Sequence, residues 1–276
     1  MTATTNPPIP RWRMIAFWVL LVVLLFLHLG DRPQQLSFIV TAFGGFPAGE
    51  GATHEMHWFA QGVFAWSMVA AVAMQLRRPV TQVGAAWVYG AGTVLAFTMV
   101  LVLADLPAEV VPIVAAAIVI AAIAFVAHPS TWRAKFTPTA TPSRALFALT
   151  AIAAVPMVVY AVGQLNIHLG SGPSDEHYTF GHWVVMGVYA LLVPIFGAVA
   201  AAKVSGWRFP LWVAGLMAAA LGVGSLGITA VSQLTTVWSL LAIAWGAAFI
   251  AVGELEARQQ VPHHQAAPTD RRPVTS

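Results

Sequence analysis

Eight stretches of 18–23 residues run through this chain almost without charge: 13–30, 57–76, 82–104, 109–127, 145–166, 182–202, 210–229 and 235–254. No other feature constrains the fold as strongly. At about 1.5 Å per residue each stretch is long enough, as a helix, to cross roughly 30 Å of hydrocarbon. Strands are excluded because the runs are continuously apolar and alanine-rich, with no in–out alternation. Over the 276 residues, 59% are hydrophobic and 8% are charged. The mean hydropathy is +0.77. That balance cannot cover a water-facing surface, so the expected class is an all-α integral membrane protein embedded in a lipid bilayer.

The basic residues give an orientation. Arg11 and Arg13, Arg77 and Arg78, Arg133, Lys135 and Arg144, Lys203 and Arg208, and Arg258, Arg271 and Arg272 fall on one side if all eight stretches span. Asp31, Glu50, Glu55, Asp105, Glu109, Asp175 and Glu176 fall on the other, with Arg32 as the one base. The expectation is a multi-pass plasma-membrane protein of bacterial type with both termini cytoplasmic. Residues 1–12 and 255–276 read as disordered tails and 128–144 as a cytoplasmic linker. The first apolar run has no convincing small-residue cleavage site, so it reads as a retained span rather than a signal peptide. The net charge of +3 is small and its basic residues are scattered, which gives no footprint for nucleic acid. With no cysteine, disulfides, thiolate-ligated haem and cysteine-held clusters are excluded.

Similar segments recur. HWFAQGVFA at 57–65 matches HWVVMGVYA at 182–190 at an offset of 125, and the same offset aligns Trp87-Val88 with Trp212-Val213 and Gly90 with Gly215. LHLG at 27–30 resembles IHLG at 167–170 at an offset of 140. These blocks predict two parallel four-helix repeats, 13–127 and 145–254, related by a pseudo-two-fold along the membrane normal. The bland alternative is chance likeness between alanine- and valine-rich helices.

Histidines mark matching points of the two halves. His28 and His168 end one stretch in each half, and His57 and His182 begin the next. Sequential helices usually pack together, so His28 paired with His57, and His168 paired with His182, are candidate ligand pairs for a cofactor. His54, His177 and Glu176 lie on the same side and extend the candidate metal-ligand set to His28, His54, His57, His168, His177, His182 and Glu176. His54 and His57 are three residues apart and share a helix face if the helix starts early. His177 and His182 need loop geometry to converge. Glu55 is the candidate acid/base or orienting carboxylate. Imidazole suits haem iron, copper, zinc and iron, so haem b or copper is the expected cofactor, with zinc or iron as alternatives. Redox work would exclude zinc. The competing reading is interfacial: histidines at helix ends meet headgroups, and Trp58 and Trp183 have the character of aromatic anchors. His263 and His264 in the tail read as solvated.

The layout of two four-helix halves with paired histidines resembles that of haem A synthase, a membrane enzyme. In that family the ligand pairs stand on the second and fourth helices of each half. Here 109–127 and 235–254 hold no histidine, and the family's EXXHR element is replaced by EMHW, with no arginine after His57. The chain is therefore not assigned to that family. The expected function is a membrane metal- or haem-binding protein, an oxidoreductase or electron carrier with an extracytoplasmic histidine cluster. The alternatives are a transporter of a neutral solute, with Gln61, Gln164, Ser67, Thr98 and Ser225 along its path, or a non-catalytic subunit with membrane-protein partners. The substrate is not legible. A rhodopsin is disfavoured because Lys135 and Lys203 lie outside the spans. An ion pump is disfavoured because no carboxylate stands at mid-depth. QLSFIVTAF, in the segment between Gly30 and His57, reads as a loop or a lid over the cluster.

Overall fold

The computed structural model describes residues 9–29, 52–172 and 176–259. Eight long helices make up nearly all of it: α1 (Arg11–Leu29), α2 (Ala52–Arg77), α3 (Val83–Leu103), α4 (Val111–Ala127), α5 (Arg144–Gly170), α6 (His182–Ala201), α7 (Arg208–Gly227) and α8 (Thr236–Gln259). Helix is the form that satisfies every backbone donor and acceptor within one segment, which lipid requires. The segment between Gly30 and Gly51, read above as a loop or lid, lies outside the described residues, as do 1–8 and 260–276 of the two tails, while 11–12 and 255–259, also read as tail, are helical.

Six of these helices are long and apolar enough to cross a membrane: α2 from His54, α3, α5, α6, α7 and α8. The protein is thus an all-α, multi-pass membrane protein with about six apolar spans. The expectation of eight spans in two symmetric four-helix repeats is corrected. The physical reason is length. α4 has 17 residues, about 25 Å of helix against roughly 30 Å of hydrocarbon. α1 carries Arg11 and Arg13 in its first turn and runs to the edge of the described residues. The helices that the repeat would equate are also unequal. α2 has at least 26 residues against 20 in α6, and α4 has 17 against 24 in α8. The segment likeness between residues 57–65 and 182–190 therefore does not extend to a symmetric architecture, and the four-plus-four layout behind the resemblance to haem A synthase goes with it.

The helices are not equally enclosed. About two-thirds of α6 (67%) and of α7 (61%) is buried inside the molecule, against 28% of α5 and of α8. α5 and α8 accordingly turn Ile152, Val155, Val159, Val237 and Leu240 outward, where lipid is the natural solvent. The core between the central helices holds Phe64, Met68, Tyr89, Val188, Phe196 and Met217. α7 and α8 approach each other through glycine. A Cβ on Gly215 would lie 2.8 Å from the Gly246 carbonyl oxygen, and one on Gly246 would meet the Gly215 carbonyl. Small residues at a membrane helix crossing permit this backbone approach. The small-residue tracts GAGTVLA and ALGVGSLG are likewise spent internally. Gly92 packs on Phe64, and Gly224 on Phe59 and Met56.

The end of the bundle that carries the basic residues is tied together by polar contacts. Ser143 caps α5, its Oγ accepting from the Leu146 N–H at 3.0 Å. The same hydroxyl donates to Glu256 Oε1 at 2.7 Å. Lys203 Nζ pairs with Glu256 Oε2 at 2.6 Å and lies over the Trp207 ring. The Trp87 indole donates to the Lys135 carbonyl at 3.0 Å, and Lys135 Nζ donates to the carbonyls of Phe125 and Val126. His128, just past α4, is buried beside Gln75 of α2, its Nε2 donating to Gln75 Oε1 at 3.0 Å. Its Nδ1 accepts from the Ser130 hydroxyl at 2.7 Å and the Ser130 N–H at 3.1 Å.

Candidate metal centre

The opposite end of the bundle is built around histidine. His54 and His57 stand on the first turns of α2, and His182 opens α6. His177 comes from a helical turn, Glu176–Thr179, between α5 and α6. That turn is held from below. Tyr178 stacks on His168 with ring centroids 4.6 Å apart and planes 10° apart. His168 in turn donates from Nε2 to the Leu103 carbonyl at 2.8 Å, fixing the end of α5 to the end of α3. The chain then enters α6 through Gly181, whose φ is +64°. A side chain is disfavoured there twice over, since left-handed backbone favours glycine and a Cβ would lie 2.8 Å from the Ala104 Cβ. The conformation reverses the chain tightly enough to bring His177 and His182 to one place.

His54, His177 and His182 form a group able to coordinate a metal ion. One ring nitrogen from each lies within 4.8 Å of the other two, and all three side chains are half-buried. The rings of His54 and His177 are stacked at 4.2 Å. His182 meets both edge-on, its centroid 5.5 Å from each. Donor atoms around a tetrahedral ion sit about 3.3 Å apart at the usual metal–nitrogen distance of about 2.0–2.1 Å. An ion bound here would draw the three nitrogens from within 4.8 Å of one another to about that spacing.

His57 lies directly beneath. It is fully buried, and its ring centroid is 5.3 Å from that of His177 and 5.5 Å from that of His182. Trp183 abuts it edge-on at 4.7 Å and stacks on His177 at 5.1 Å. Both ring nitrogens of His57 are buried with no hydrogen-bond partner among the described residues. Trp183 is 4% exposed, so it walls the histidine cluster rather than anchoring in the headgroups as a surface tryptophan would. Trp58 lies beside His54, ring centroids 5.6 Å apart.

The remaining candidates fall as follows. The side chains of His28 and Glu176 lie outside the described residues, so the pairing of His28 with His57 does too. His168 makes its contacts with Leu103 and Tyr178, one layer behind the group of three. Glu55 is half-buried next to His54 in the chain and does not belong to the group. The polar side chains suggested for a solute path scatter. Ser67 closes back on the Val63 carbonyl at 2.9 Å, Ser225 Oγ accepts from the Leu234 N–H at 3.0 Å, and Thr98 is exposed. Met186, one turn into α6 from His182, is core, and the hydroxyl of Tyr189 donates to the Met217 carbonyl at 3.0 Å. Sequence reasoning did not single out Tyr178 and Gly181. The only signal for them was a glycine and an aromatic residue between two histidines.

In comparisons with protein-family models, with curated proteins and with solved structures, nothing matches this chain.

Proposed function

We propose that the protein is a membrane metalloprotein whose His54, His177 and His182 hold one transition-metal ion at the extracytoplasmic face of the plasma membrane, in the service of oxidation or electron transfer. The observation that carries this reading is the convergence of three imidazoles within 4.8 Å from positions as far apart in the chain as 54 and 182. An all-imidazole donor set favours copper, iron or zinc over magnesium or calcium, which take oxygen. Copper or iron would supply the redox chemistry, and copper binds such sets most tightly among the divalent ions. A small ion suits the cluster better than haem. Haem takes its axial ligands on opposite faces of a wide ring, whereas three donors gathered at one point leave no plane for it.

Charge supports the side. The end away from the histidines carries Arg77, Arg78, Arg133, Lys135, Arg144, Lys203, Arg208 and Arg258, while the histidine end carries Glu55, Asp105 and Glu109. Basic loops stay in the cytoplasm, which favours the other side for the cluster.

The test is elemental analysis, visible absorption and electron paramagnetic resonance on detergent-purified protein grown in metal-replete medium. One copper or iron per chain, lost in His54→Ala, His177→Ala and His182→Ala, is the expected result. A Soret band would replace the small ion with haem. Protein with neither metal nor chromophore would sink the reading and return it to a solute transporter or a subunit of a larger assembly. Sidedness is open to cysteine labelling, since the chain has no cysteine of its own. An impermeant maleimide on intact cells should label Gly172→Cys and spare Thr137→Cys. The reverse pattern would put the cluster in the cytoplasm.

A further inference from the structure

We infer that His57 is a fourth ligand, so that the metal centre is a closed four-histidine site rather than an open three-histidine one. The inference rests on the metal reading above. It begins from an anomaly of burial. His57 is 0% exposed and neither of its ring nitrogens has a hydrogen-bond partner among the described residues. Buried polar side chains nearly always find partners, because leaving water without one is unfavourable. A metal ion would satisfy one of those nitrogens.

Geometry points the same way. An imidazole bound at about 2.0–2.1 Å has its centroid about 3.2 Å from the metal, so two imidazoles on a tetrahedral ion have centroids about 5.2 Å apart. The observed separations are 5.3 Å for His57–His177, 5.5 Å for His57–His182, 5.5 Å for His54–His182 and 5.5 Å for His177–His182. The rings of these four pairs are inclined by 69–82°, so none of the four stacks. The fifth pair, His54–His177, departs: it is stacked at 4.2 Å, and the nitrogens gathered within 4.8 Å are those of His54, His177 and His182, so binding by all four would spread the stacked rings by about an ångström and draw His57 in. Around one centre, His57 thus stands to His177 and His182 as His54 stands to His182. The donors come from two turns of α2, the 176–179 turn and the start of α6, so the ion would clamp α2 to α6. Four protein ligands leave no position for a substrate, which assigns the centre to electron transfer in preference to substrate oxidation.

Zinc is the probe, because it takes four-coordinate tetrahedral sites readily. X-ray absorption of the zinc-loaded full chain should show four nitrogen donors with the outer-shell scattering of four imidazoles. His57→Leu should lower zinc affinity by at least about 100-fold, beyond what loss of a merely orienting neighbour costs. The same variant should fold without metal, since an apolar side chain of similar volume removes two unpaired nitrogens. Its melting temperature in metal-free detergent solution is the control for that. Three imidazoles in the wild-type spectrum, or His57→Leu binding zinc as tightly as the wild type, would overturn the fourth ligand and leave the three-histidine reading standing. No zinc bound by the wild type would overturn both. Should His57→Leu fail to fold, the wild-type spectrum alone decides.

Discussion

His57 and His128 are buried equally, at 0% and 1% exposure, and their surroundings differ in kind. Both rest on α2. His57 is part of it, and His128 bonds to Gln75, about 27 Å further along the same helix. At the basic end every polar atom of the imidazole is used. Nε2 donates to Gln75 Oε1, Nδ1 accepts from Ser130, and the Gln75 amide donates onward to the Gln82 carbonyl at 2.5 Å. The network requires the neutral ring. At the other end His57 faces other imidazoles and Trp183, and neither of its nitrogens is satisfied among the described residues. Burial by itself therefore says nothing about a histidine's role. A filled hydrogen-bond shell marks one that fastens helices, and the empty shell of His57 among other imidazoles is what supports its proposed role as a ligand.

The widest separation between the two ends should come from removing a ligand. His182→Ala is expected to lower metal affinity by more than about 100-fold, while His128→Leu leaves metal uptake at the wild-type level. Titration with a competing chelator measures both, and equal losses would abolish the contrast.

Acid gives the next largest effect. His128 is held below its usual value, to about 4, by burial and then by the nearby Lys135 charge. Unfolded, the ring takes up a proton near pH 6.5. Because the folded value is depressed, its contribution to stability is complete above pH 6.5 and is lost as pH falls toward 4. The loss is on the order of 3 kcal/mol, because each tenfold change in proton affinity corresponds to about 1.4 kcal/mol. Melting of metal-free protein across this window should fall more steeply for the wild type than for His128→Leu. Parallel curves would mean that the imidazole titrates freely.

At pH 7 the same His128→Leu change should destabilise by about 1–3 kcal/mol, since it strands the buried Gln75 oxygen. In metal-free protein His57→Leu should cost less, or raise the melting temperature. If His57→Leu proved the more damaging, the two roles assigned here would be exchanged. The smallest effect belongs to the rim. Arg208 grips Glu254 in a fork, at 2.9 Å through Nε and 2.5 Å through Nη2. Arg208 is 59% exposed, and such pairs contribute about 1 kcal/mol or less. Arg208→Ala should shift the melting temperature marginally and weaken no metal binding.

Much of this architecture was legible in the chain. The apolar run 57–76 sits inside α2, 82–104 outlines α3, and 182–202 gives α6 almost to the residue. A helix in lipid depends only on local composition and on the need to satisfy its own backbone. For that reason class, helix positions and the charge contrast between the ends follow from sequence. How many helices span did not follow, because α4 reads as apolar as its neighbours and differs only in being shorter. The matched segments at 57 and 182 also suggested a symmetry that the unequal helices lack.

The site was legible as residue types and not as a constellation. Sequence placed His54, His57, His177 and His182 at one end of the bundle, since helix direction alternates. It paired them by chain proximity, and proximity does not govern side-chain convergence. What brings His54 of α2 against His177 and His182 is the rotation of α2 against α6, and a reversal made at Gly181 by a positive φ. His168, alike in sequence, faces Leu103 and Tyr178 instead. Sequence alone determined that this chain is a bundle of membrane helices with histidines at one end and basic residues at the other, because hydrophobicity and charge act residue by residue. Only tertiary structure decided which histidines share a centre, because that depends on how neighbouring helices are turned and on the path of one short loop.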